Sequence, residues 1–336
     1  MCENKKSSNF DLKLSTMKKV VYSFILLAVM IYGCGTNNKN KNINPNASDL
    51  KGNIIVNGSD VLYPIAMKWA QAYKVDNPGV AIMIRSTGSE NALRNLKAGK
   101  ISLAMVSREL TDEEKTAGLI AFPIAMDMVV PVICFDNKNI QKIVMTGVSK
   151  QKLADAFTGK IKTWGQLLKT KSTDPIEIYK LADTTGTSET WANFLGVKSA
   201  HVVGTVMYAN KSMADYIITK KFGLGYCSSS VCYDINTNFI RHNLMVVPTD
   251  LNANGQADDD ELVFDKLDDL KTIIAEGKYP SPPTRKLYLV IKSQPANEVL
   301  KDFVKWTLGI GQNYCKEFCL VSIDKKSAQE SIKLLK

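Results

Sequence analysis

Three stretches of this sequence place glycine beside serine or threonine where a β-rich run gives way to a helical pattern. Asn57-Gly58-Ser59-Asp60-Val61-Leu62-Tyr63-Pro64 follows Ile54-Ile55-Val56, and Arg85-Ser86-Thr87-Gly88-Ser89 follows the apolar run 80–84. Ala182-Asp183-Thr184-Thr185-Gly186-Thr187-Ser188 follows Ile176, Ile178 and Leu181. A helix start has unpaired N–H groups and the positive end of the helix dipole, so it can bind an anion. Ser and Thr are also ordinary N-caps, which explains any single junction. Three such junctions, without a Walker or dinucleotide glycine pattern, point to an anion site. A further strand pattern, 101–106, ends in Ser107-Arg108. That pair adds a hydroxyl and a forked cation suited to a tetrahedral oxyanion.

A second constellation lies at 250–261. Asp250, Asn252, Asn254, Gly255 and Glu261 satisfy every fixed position of the calcium loop D-x-[DN]-x-[DN]-G-x5-E. Side-chain oxygens of Asp250, Asn252, Asn254 and Asp258, the Gln256 carbonyl and two oxygens of Glu261 would form the ligand set. The flanks differ from an EF-hand, because 244–247 reads as a strand and position eight is Ala257. One isolated structural Ca2+ loop is expected, and an ion-free acidic turn is the other reading.

Enzymatic chemistry finds little purchase. His201 and His242 are the two histidines, and neither sits in a nucleophile or metal pattern. There is no G-x-S-x-G elbow and no H-E-x-x-H. A binding protein without a catalytic site is expected.

The elements that must position these residues alternate short β-rich runs with helical patterns from Lys51 onward, the signature of an α/β protein. With 336 residues, 45% apolar and 23% charged, the chain is folded and long enough for two domains. Its 43 Lys and Arg against 33 Asp and Glu leave a formal +10. The basic residues are scattered, without an interleaved basic and aromatic patch, so no nucleic-acid partner is expected.

The run 58–110 resembles the opening of the phosphate-binding proteins of bacterial ABC transporters. LADAFTGKIKTWGQL (153–167), TTGTSETWANFLG (184–196), FGLGYCSSSVCYD (222–234) and YPSPPTRKLYLVIK (279–292) are similar to later segments of that family. The resemblance covers nearly all of 52–325, carried by order and spacing. It implies a two-lobed periplasmic-binding-protein fold of type II, with two crossing strands and the anion in the cleft. Lobe 1 would comprise 52–131 and 286–336, and lobe 2 would comprise 132–285. By position, the family's ligand groups fall on Ser59, Asp60, Val61 and Leu62, on Ser89, on Ser107 and Arg108, and on Thr185, Gly186 and Thr187. Two departures stand out. Val61 and Leu62 replace a frequent threonine, leaving backbone N–H groups there, and Leu181 stands where much of the family has an arginine.

Phosphate carries at least one proton near neutral pH and sulfate none. A carboxylate aimed into the cleft would accept that proton and repel sulfate. Asp60 and Asp183 are the candidates, each of which could instead cap its helix outside the cleft.

Met17-Lys18-Lys19, the apolar run 20–33 and Cys34 read as a lipoprotein signal peptide, too short to span a bilayer as a helix of about 20 residues. Residues 1–16 read as an upstream extension, Cys34 as the lipidated residue and 35–51 as a polar tether. Losing the five Lys and two acidic residues of 1–33 takes the charge from +10 to +7. Cys227/Cys232 and Cys315/Cys319 are close pairs that an oxidising compartment could join, and free buried thiols are the favoured reading. The expected protein is a monomeric, membrane-anchored lipoprotein facing the periplasm or exterior, capturing inorganic phosphate for a membrane ABC permease. The alternatives are another oxyanion (sulfate, molybdate or a phosphonate), or a signalling or adhesion module on the same fold.

Overall fold

The computed structural model describes residues 48–293 and 297–335. Cys34, the leader and most of the tether lie outside the described residues. Ten strands are present among them: β1 Gly52–Gly58, β2 Val80–Ser86, β3 Leu103–Val106, β4 Leu119–Cys134, β5 Glu177–Leu181, β6 Thr205–Met207, β7 Gly223–Ser228, β8 Leu244–Val246, β9 Thr284–Lys292 and β10 Val321–Ser322. They follow the order β2-β1-β3-β9-β4-β7-β5-β6, with β8 and β10 each added to β4.

β4 organises the molecule. Its sixteen residues form an almost unbroken apolar run, suited to burial on both faces. Leu119–Met128 pairs antiparallel with β9, and Val129–Val132 pairs antiparallel with β7. The chain returns where Val129 N–H donates to Pro283 O at 3.0 Å, one residue before β9 begins. The sheet therefore changes partners at Met128–Val129 and again at Pro283–Thr284. Within each lobe the other pairings are parallel where helices intervene, as in β1 with β2 and β3, and β5 with β6 and β7.

The lobes have separate cores. In lobe 1 the helix Tyr63–Asp76 opens with Pro64 in its first turn and turns Ile65, Trp69 and Tyr73 inward at helical spacing. Trp69 Nε1 donates to Gly311 O at 2.8 Å and Tyr73 Oη to Asp302 Oδ2 at 2.6 Å, tying this helix to the C-terminal segment. The helix Glu298–Leu308 is capped by Asn297 Oδ1, which accepts from Val299 N–H at 3.0 Å. Lobe 2 centres on Phe157, Trp191 and Tyr226, where the last two rings stack with centroids 5.3 Å apart. Emptying such a site, for example by Trp191→Ala, costs about 3–5 kcal/mol.

Candidate functional site

The hydroxyl-rich junctions meet at one seam. Gly58 ends β1 at φ +151°, and a Cβ there would lie 2.1 Å from Met105 O, so only glycine permits this approach of β1 to β3. Its carbonyl accepts Thr87 N–H at 2.9 Å and Gly88 N–H at 3.0 Å, which fixes the second loop against the first. The helix Ser89–Lys97 starts there. Ser89 Oγ accepts Ser107 N–H at 3.2 Å and lies 3.3 Å from Ser107 Oγ.

Lobe 2 presents the start of the helix Gly186–Leu195. Tyr226 Oη accepts Leu181 N–H and donates to Ser188 Oγ, both at 3.1 Å, so the aromatic core positions this turn from behind. Burial pushes the Tyr226 hydroxyl up to about 12, keeping it neutral and able to donate. Gly186 packs directly on Ser107 of lobe 1, where a Cβ would lie 2.5 Å from Ser107 Oγ. Its N–H and that of Thr187 belong to the first helical turn, which has no intrahelical acceptors. Ser89, Ser107, Gly186 and Thr187 are thus brought together, all buried.

Other expected groups are occupied. Thr185 Oγ1 caps its own helix, accepting Ser188 N–H at 3.1 Å and donating to Ala182 O at 2.9 Å. Ser59 Oγ accepts Val61 N–H at 3.2 Å, which uses one of the backbone donors expected for a ligand. Leu62 is fully buried in the lobe 1 core. Asp183 pairs with Lys180 at 2.8 Å and its side chain is 46% exposed. Asp60 accepts from Asn210 N–H at 2.7 Å and from Asn210 Nδ2 at 3.1 and 3.0 Å.

Arg108, expected to face the anion, is paired with carboxylates. Its guanidinium meets Glu90, Glu114 at 2.8 Å and Glu189 at 2.7 Å, and also donates to Glu109 O at 2.7 Å. Burial opposes its charge, but the Glu114 hydrogen bond and the Glu189 field hold its pKa above the usual arginine value. Three carboxylates around one guanidinium leave no positive charge there for an anion.

Arg285, the last residue assigned to lobe 2 from sequence, reaches the seam. It lies in β9 next to the crossing, with its side chain 5% exposed. Nη1 donates to Ser107 O at 2.9 Å, and Nη2 donates to Thr187 Oγ1 at 3.1 Å. Asp127 balances it at 2.7 Å and is itself held by Ser228 Oγ. The lone acidic residue in the apolar run of β4 was the sequence signal for this buried pair. Asn210 had no such signal, since only the fold brings it to Asp60, Thr187 Oγ1 at 3.2 Å and Ser228 N–H at 2.7 Å.

Beside the seam lies a cavity of about 330 Å3 between the lobes. Asp60, Thr87, Gly88 and Asn91 line it from one side, and Thr184, Thr185 and Tyr208 from the other. Thr87 Oγ1 is buried there without a hydrogen-bond partner. A buried hydroxyl left unpaired beside a cavity is a natural contact for a polar ligand.

The loop 250–261 folds on itself. Asp250 accepts Asn254 N–H at 3.1 Å and Gly255 N–H at 3.0 Å, and Glu261 accepts Leu251 N–H at 2.5 Å and Asp258 N–H at 3.1 Å. Asn252 Nδ2 and Asn254 Nδ2 both donate to Asp258 Oδ2, at 2.7 and 2.9 Å. Among the described residues no group of three or more His, Cys, Asp or Glu could hold a metal ion. A cation here would need the asparagine oxygens and the Gln256 carbonyl in addition to the carboxylates of Asp250, Asp258 and Glu261. The donors are all oxygen, which suits a hard cation.

A family model described as "PBP superfamily domain" matches residues 44–309. The chain is 27% identical over 360 residues to "Phosphate-binding protein PstS" of Xylella fastidiosa, covering 91% of this chain and 95% of that protein. It is 40% identical over 118 residues to "Phosphate-binding protein PstS 2" of Streptococcus pneumoniae, 35% of this chain and 38% of that relative's length. A solved structure of a putative phosphate ABC transporter substrate-binding protein with bound phosphate, from Clostridium perfringens, has the same fold. Its TM-score is 0.63 at 20% identity, covering 81% of this chain and 100% of that one. Crossing strands, two lobes and a family match over most of the sequence agree: the chain belongs to the PBP superfamily.

Proposed function

We propose that this protein captures inorganic phosphate outside the cytoplasm and delivers it to a membrane ABC permease. The observation that carries this reading is the packing of Gly186 on Ser107, which brings free first-turn N–H groups of one lobe against the hydroxyls of the other. Phosphate would be held by the Gly186 and Thr187 N–H groups, by Thr187, Ser89 and Ser107, and by Thr87 at the cavity wall. Arg285 is the buried cation nearest this set. Dipoles and hydroxyls supply most of the attraction, because Arg108 is neutralised. Ligand binding would favour closure by its greater affinity for the closed arrangement of the lobes.

Calorimetric titration with phosphate, sulfate, molybdate and methylphosphonate tests the reading. Phosphate should bind at micromolar affinity or tighter and the others far more weakly. Absence of phosphate binding would overturn the proposal, and preference for another oxyanion would transfer the site to that ligand. The quenching of Arg108 by three glutamates is the observation favouring that second reading. Turnover of a phosphate monoester would indicate an enzyme instead.

Cys34 would carry the lipid anchor, tested by metabolic labelling with a fatty acid in the wild type and Cys34→Ser. The 250–261 loop would hold one Ca2+ through Asp250, Asn252, Asn254, Gln256, Asp258 and Glu261, bracing lobe 2. The protein would act as a monomer.

A further inference from the structure

Cys227 and Cys232 stand at the two ends of a short turn in lobe 2. Both are fully buried, and their Sγ atoms are 3.5 Å apart. The residues between them hold the junction of the lobes. Ser228 N–H donates to Asn210 Oδ1 at 2.7 Å, Ser228 Oγ donates to Asp127, and Ser229 Oγ accepts Met128 N–H at 3.2 Å. Asn210 in turn holds Asp60 of lobe 1, and Asp127 holds Arg285. One turn thus anchors both the crossing strand and the residue that bridges the cleft.

We propose that Cys227 and Cys232 are joined as a disulfide when the chain folds in an oxidising compartment, fixing this turn. An S–S bond is about 2.05 Å long, so the sulfurs must approach by about 1.5 Å, a shift within the reach of side-chain rotation. Two S–H bonds break and one S–S bond forms. The two electrons and two protons pass to a second disulfide, which leaves as two thiols, and the exchange runs through a mixed disulfide. The mutual hydrogen bond and burial hold the Cys227 thiol well above its ordinary pKa, so little thiolate exists in the folded chain. The bond therefore forms while the segment is still open, and burial then shields it from reductants. Cys319, of the C-terminal segment, lies in the same buried cluster as Cys232 and is the competing partner.

The test supplies its own oxidant, so it stands apart from the extracytoplasmic reading and from phosphate binding. The full chain is refolded in a mixed oxidised and reduced glutathione buffer, denatured, alkylated and mapped by mass spectrometry. Cys227 and Cys232 should resist alkylation and appear in a linked peptide lighter by two hydrogens, while Cys134, Cys315 and Cys319 are labelled. Labelling of Cys227 and Cys232, or a Cys232–Cys319 link, would overturn the assignment. In Cys319→Ser the 227–232 link should persist undiminished, and its loss would count against the proposal. Amide exchange at 228–231 should be several-fold slower in the oxidised protein than in the reduced one. Equal rates would show that the bond does not fix the turn.

Discussion

Asn210 grips Asp60 across the cleft with its backbone N–H and its side-chain amide, at 2.7 to 3.1 Å. The helix Asn210–Ile217 starts at this residue, so the carboxylate also lies at the positive end of a helix. The acidic side chain of the first glycine-serine junction thereby becomes a strut between lobes. Asp60→Asn should weaken phosphate binding about tenfold, the effect of losing one charge-assisted hydrogen bond from the closed state. Asp183→Asn should change affinity less than about twofold, because Asp183 is half-exposed and paired with Lys180. Calorimetry on both variants decides the matter. The reverse ranking would return Asp183 to the ligand.

The Arg285–Asp127 pair is almost completely buried. Removing either partner leaves an uncompensated charge, so Arg285→Leu or Asp127→Leu should lose about 3–5 kcal/mol in urea unfolding. The double variant should lose less than the sum of the two single losses, since neither charge then remains. Additive losses would show that the two residues act separately.

Glu114 and Glu189 face the same guanidinium, yet their pKa values are shifted in opposite directions. Burial would raise the Glu114 carboxyl, but the hydrogen bond from Arg108 outweighs it and holds the group below the usual glutamate value. Its stabilisation is therefore complete above that value and is lost as pH falls through the usual value to the lowered one. Burial, reinforced by Glu90, raises Glu189 despite Arg108. Ionising Glu189 therefore removes stability as pH climbs from the usual glutamate value through the raised one. Glu114→Gln should lower the melting temperature at neutral pH and converge with the wild type in acid. Glu189→Gln should raise it slightly at neutral pH and leave it unchanged in acid. Thermal unfolding at both ends of the range measures each difference.

Calcium should raise the melting temperature, by an amount equivalent to about 2.7 kcal/mol at one hundred times its dissociation constant. A chelator should reverse the shift, and Glu261→Gln should abolish it by removing the bidentate ligand. A melting temperature indifferent to calcium and chelator would leave the loop as an ion-free turn.

Much of the architecture is legible in the chain itself. Alternating β-rich and helical patterns, the long apolar run of β4 and the hydroxyl-bearing junctions depend on local spacing, and local spacing survives in sequence. The same holds for Pro64, which suits the first turn of its own helix. Charge partnership does not survive in this way. Arg108 looked like a free cation because Glu90, Glu114 and Glu189 are distributed over three separate segments, and only folding brings them to one guanidinium. Arg285 and Asp127 lie 158 positions apart and Asn210 and Asp60 150 apart, so their meeting depends on the return of β9 beside β4 and on the closing of one lobe over the other. Residue types and their spacing along the chain point to the three hydroxyl-bearing helix starts as candidate anion loops. The tertiary structure decided which polar groups remain available there, because hydrogen bonds and ion pairs are settled by distance in space rather than by separation along the chain.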